Sequence, residues 1–122
     1  MRRPASVLAA LVMLASAGCG SGPNAPRLED ASARGADYSY TIPAGAGEAY
    51  DRGQPLDILP GELTVAIGEV IEIVNLDARG HLIGPFFVGA GETLRQRFAG
   101  PGEFIGVCTV HPSGELVLVV HE

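Results

Sequence analysis

The chain has 122 residues, among them eight arginines, no lysine and fourteen acidic residues, for a formal net charge of −6 at pH 7. That length supports one domain rather than two. The acidity excludes nucleic acid as a natural partner, since that binding is driven by basic groups neutralising phosphates, and the seventeen glycines and nine prolines count against long helices.

The chain opens "MRRPASVLAALVMLASAGCGSG". Arg2 and Arg3 precede an apolar run of eleven residues, 7–17. A membrane-spanning helix needs about 20 such residues, so the run fits a secretory signal instead. The stretch "ASAGC" resembles the lipobox of bacterial lipoproteins, with small residues at Ala17 and Gly18 before Cys19, and with Ser16 where leucine is usual. The resemblance implies a signal peptide over residues 1–18, cleavage before Cys19 and lipid on its thiol. The protein is then exported and anchored to the cell membrane, with its domain on the extracytoplasmic side. An ordinary signal peptide cut near a cysteine is the alternative. From Cys19 onward, six arginines face fourteen acidic residues, a formal charge of −8, which keeps the domain soluble and favours a basic partner.

Residues 19–36 are rich in Gly, Pro, Ala and Ser and read as a flexible tether. The folded domain is expected over residues 37–122. "DYSYTI" and "EVIEIVN" alternate, while "LDILPGELTVAIG" holds two short runs broken at Pro60 and Gly61. "HLIGPFFV", "ETLRQRF", "GEFIGVC" and "ELVLVV" follow, bounded by "NLD", "GAGE" and "GPGE". This spacing predicts seven or so short strands in an antiparallel sandwich or barrel. In "ETLRQRF", Thr93, Arg95 and Arg97 share one face, read as solvated, and Leu94, Gln96 and Phe98 the other.

Cys108 is the informative residue. With Cys19 lipidated it has no partner in the chain; with Cys19 free, a disulfide between the two stays open. Two of the three histidines, His81 and His111, bracket the segment that ends in Cys108. A soft thiolate with two imidazoles is the ligand set of a type 1 copper site, trigonal with a weak or absent axial donor. Zinc is the competing metal, because three protein ligands and a water also suit it. Without metal, Cys108 is a packed core thiol, His81 a turn residue and His111 an exposed loop residue.

"IEIVNLDARGH" followed by "GETLRQRFAGPGEFIGVCTVHPSGELVLVV" resembles the C-terminal half of a cupredoxin, over residues 56–120. The Asn-x-Asp turn before the first histidine, the "PGEF" turn and the spacing "CTVHP" carry the likeness, which is to the short-loop, amicyanin-like members. It implies an all-β, cupredoxin-like Greek-key sandwich of about seven to eight strands, with His81, Cys108 and His111 as equatorial copper ligands. The family's axial methionine has no counterpart: its position is Gly114, and Met1 and Met13 lie in the signal segment. The site is then three-coordinate, approached by Glu115 or a backbone carbonyl, or degenerate. His121 is excluded, lying on the order of 16 Å along the last strand at about 3.3 Å per residue.

The implied function is one-electron transfer by a membrane-anchored mononuclear copper protein, monomeric, with a redox protein of the cell envelope as partner. A copper carrier that serves a copper-accepting protein, and a metal-free interaction module, are the alternatives. An enzyme is not expected, since three histidines cannot build a multicopper centre. The run Pro85, Phe86 and Phe87 beside His81 lines the site, forms a docking patch or packs in the core.

Overall fold

The computed structural model describes residues 24–31 and 35–122; the signal segment and Cys19 lie outside them. Nine strands and one short helix occur among the described residues. In chain order these are β1 (Arg27–Asp30), β2 (Tyr38–Ile42), α1 (Ala46–Asp51), β3 (Glu62–Ala66), β4 (Val70–Asn75), β5 (His81–Ile83), β6 (Phe86–Val88), β7 (Thr93–Gly100), β8 (Gly102–Val107) and β9 (Glu115–His121).

One sheet has the order β1-β7-β4-β2 and the other β3-β9-β8, with the β5-β6 hairpin beside them. The all-β sandwich expected from the strand spacing is what the chain forms. Three details differ. The sheets are mixed rather than antiparallel, because β2 runs parallel to β4 and β3 parallel to β9. Neither parallel pair is joined by a hairpin: the chain visits the other sheet between β2 and β4, and returns in its original direction. The segment expected to be tether contributes β1, antiparallel to β7, where Leu28 packs against the core and Glu29 pairs with Arg97. Residues 46–51, assigned to no element in the sequence, form α1.

Strand alternation builds the core. Leu116, Leu118 and Val120 of β9 and Leu63 and Val65 of β3 point inward from one sheet. Ile71 and Ile73 of β4 and Phe98 of β7 meet them from the other. Each such side chain contributes about 1.5–3 kcal/mol by leaving water. Phe86 meets Phe98 edge to face, with ring centroids 6.4 Å apart. "HLIGPFFV" is thus a hairpin that points Ile83, Phe86 and Val88 into the core and leaves Leu82 and Phe87, which oppose each other, on the surface.

The hairpin is tied to β8 where Cys108 and Ile83 form a β-bridge. The backbone N–H of Gly84 donates to Val107 and that of Thr109 to Leu82. These bonds bring the loop before His81 and the loop after Cys108 to one end of the sandwich.

Candidate functional site

The site is built from three loops. The first follows β4, whose inward parity places Asn75 in the core at 0 % exposure. A buried amide needs partners, and Asn75 has them: its Nδ2 donates to the carbonyls of Arg79, Val88 and Gly89 at 2.7, 3.1 and 3.1 Å. Its Oδ1 accepts from the backbone N–H of Asp77 at 2.9 Å. The amide therefore pins the 76–80 turn to the β6 end.

That turn delivers Asp77 inward. Its Oδ1 accepts from the N–H groups of Gly45 and Ala78 at 3.0 and 2.9 Å. Its Oδ2 accepts from the N–H of Gly47 at 2.8 Å and lies 2.8 Å from Nε2 of His81. A side chain at Gly47 would collide with Arg79 and with the carboxylate, the Cβ lying 2.7 Å from Arg79 Cδ and 2.9 Å from Asp77 Oδ2. Glycine is what lets α1 come this close. The hydrogen bond from His81, reinforced by the backbone donors, holds the Asp77 carboxyl well below the usual carboxylate range against the opposing effect of burial.

His81 opens β5 and is 2 % exposed. With Nε2 on Asp77, its Nδ1 lies 2.8 Å from the Oγ1 of Thr109, the residue after Cys108. The Thr109 hydroxyl also reaches the carbonyl of Leu82 at 3.3 Å.

Cys108 directly follows β8, is fully buried and is a free thiol. Burial pushes the thiol up from its ordinary value, and a hydrogen bond from the Val110 backbone acts against that. The backbone N–H of Cys108 donates to the carbonyl of Gly114 at 2.9 Å, and that of Gly114 to His111 at 2.9 Å. Gly114 sits at φ +73°, a left-handed conformation that glycine adopts without cost. The loop is thereby closed tightly between Cys108 and Gly114.

His111 lies on this loop with its side chain 20 % exposed. Its ring covers Gly61, just before β3; a Cβ there would stand 3.2 Å from Cε1. Nδ1 of His111 accepts from the backbone N–H of Ser113 at 3.1 Å and lies 2.7 Å from its hydroxyl. Nε2 is 3.9 Å from Oδ1 of Asp57. Glu115 opens β9 opposite Val107 and is exposed. His121 stands exposed at the other end of that strand, and Cys19 lies outside the described residues.

His81 and the segment carrying Cys108 are thus in contact, and His111 sits at the same end across the loop, over Gly61. Among the described residues, no three His, Cys, Asp or Glu side chains are grouped to hold an ion. By donor type the set fits copper, since a thiol and two imidazoles suit a soft first-row metal. In this arrangement Nδ1 of each ring has a hydroxyl partner instead, Thr109 for His81 and Ser113 for His111. Sequence reasoning treated "NLD" as a turn and missed Asn75, Asp77 and Thr109 as site-builders. The alternation that carries Ile71 and Ile73 inward, continued to Asn75, was the available signal.

No protein-family model matches the chain, and no curated protein matches it. Solved structures do. The chain is similar to a purple cupredoxin from Nitrosopumilus maritimus, at 21% identity and a TM-score of 0.45, over 70% of this chain and 100% of that one. It is similar to amicyanin from Paracoccus versutus, at 18% identity and a TM-score of 0.43, over 78% of this chain and 92% of that one. A copper-containing nitrite reductase from Thermus scotoductus SA-01 is also matched, at 21% identity and a TM-score of 0.42, over 79% of this chain but 25% of the reductase. The likeness is one of fold alone.

Proposed function

We propose that the chain is an exported, lipid-anchored mononuclear copper protein that transfers single electrons, with His81, Cys108 and His111 as ligands and no axial methionine. The observation that carries this reading is the contact between Nδ1 of the buried His81 and Thr109, next to a fully buried free thiol. Copper held there would supply a one-electron couple. The chain's own residues supply the rest. Burial excludes water from the sulfur and pushes the free thiol up, with the Val110 N–H acting against that, so forming the thiolate there would depend on the ion itself. The closed 109–114 loop fixes where His111 is carried, and the sandwich restrains the geometry through any change of charge.

Lipid on Cys19 would hold the domain at the extracytoplasmic membrane face near a redox partner of the cell envelope. The test is copper titration of the purified protein, followed by its visible spectrum and by potentiometry. Uptake of one ion with an intense thiolate-to-copper band and a reversible couple is the expected result. Uptake without that band contradicts it.

One observation favours a second reading, a copper carrier. Nδ1 of each imidazole has a protein hydroxyl beside it without metal, so release of the ion would leave neither Nδ1 orphaned. Exchange with a chelator distinguishes the two: a carrier gives up copper rapidly, an electron-transfer protein slowly.

A further inference from the structure

Asn75, Asp77 and His81 are the buried polar residues among the described ones, and Asp77 is the one whose charge needs a reason. A carboxylate that already accepts from Gly45, Gly47 and Ala78 is an acceptor at both oxygens. The ring nitrogen facing it, Nε2 of His81, must therefore be the protonated one in a neutral ring. We infer that Asp77 is a positioning residue: held by the backbone beside α1, it fixes His81 as the Nε2–H tautomer and leaves the Nδ1 lone pair facing the Cys108 loop as the metal donor.

This rests on the copper reading above and gives it a direction. A carboxylate on the far nitrogen makes the near one a stronger donor, and such partners alter metal affinity when removed. The added negative charge also favours the more positive copper ion, Cu(II), and so lowers the reduction potential. It acts opposite to the loss of an axial donor.

Thr109 completes the arrangement. Its hydroxyl lies 2.8 Å from Nδ1 and 3.3 Å from the carbonyl of Leu82. Rotation of the proton toward Leu82 frees Nδ1 without leaving the hydroxyl unsatisfied. The aspartate therefore acts permanently, and the threonine only until an ion arrives.

The experiment has a metal-free arm and a copper arm. Nitrogen-15 imidazole spectra of the copper-free protein at neutral pH are expected to show His81 protonated at Nε2 and bare at Nδ1. The opposite tautomer, or a doubly protonated ring, overturns the inference. Thr109→Val should leave that tautomer unchanged; a switch of tautomer in this variant assigns the ring to Thr109 and overturns it too. In the copper arm, Asp77→Asn should lose about 10–100-fold in copper affinity and show a raised potential, with the fold intact by amide spectra. An unchanged potential in the folded, copper-loaded variant contradicts the role. If Asp77→Asn does not fold, the wild-type and Thr109→Val tautomers decide. If the wild type takes up no copper while the Nε2–H tautomer stands, the electron-transfer reading fails and the orientation by Asp77 holds.

Discussion

The imidazole of His111 rests on Gly61: a β-carbon at residue 61 would stand 3.2 Å from its Cε1 and 3.5 Å from its Nε2. Two segments far apart in sequence thus set the position of a candidate ligand by having nothing in the way. Gly61→Ala asks the ring to yield by a few tenths of an ångström and should be mild. Gly61→Val should push His111 outward and cost about 1–3 kcal/mol. Copper titration and thermal unfolding check this, with copper affinity expected to fall from wild type through Ala to Val.

Asn75 ties three carbonyls and one N–H in the interior. Asn75→Ala leaves those groups without their partner and should destabilise the fold by about 3 kcal/mol, from the cost of unsatisfied buried polar groups. Urea unfolding is the measurement, read as a lower midpoint at unchanged slope.

Much of this architecture is legible in the sequence. The alternation in "EVIEIVN" and "ELVLVV" gives the inward faces of β4 and β9, and the Gly- and Pro-bearing turns give their ends. β1 is not legible, because a four-residue edge strand with one inward Leu28 looks like linker until β7 is beside it. The parallel pairs are not legible either, since alternation fixes a strand's faces and says nothing of its direction. In the site, His81, Cys108 and His111 stand out by chemical type. Asp77 does not, because a carboxylate in a turn reads as solvated, and only the fold brings Gly45 and Gly47 onto it.

Glu72 contributes to the pH dependence of stability. Its hydrogen bond from Arg95, and a second from Ser39, hold the carboxyl below its ordinary value. A depressed carboxylate stabilises the fold above its unfolded-state pKa, about 4.3, and that contribution fades as pH falls through the lower, folded value. Glu72→Gln should therefore melt below wild type at pH 7, with the gap closing in acid. Melting curves across that range check the sign; a gap that widens on acidification contradicts it.

Phe98 is fully buried against Phe86 between the sheets. Phe98→Ala should cost about 3–5 kcal/mol, from lost burial and the cavity left behind. Thermal unfolding of the copper-free protein reads this directly, without reference to the site.

The central claim is that the buried thiol of Cys108 binds copper. The most direct measurement is the visible spectrum of copper-titrated wild type beside that of Cys108→Ser. The account predicts an intense charge-transfer band that saturates at one ion per chain in the wild type and is absent in the variant. A colourless wild type, or equal copper uptake and equal spectra in the two proteins, would contradict it.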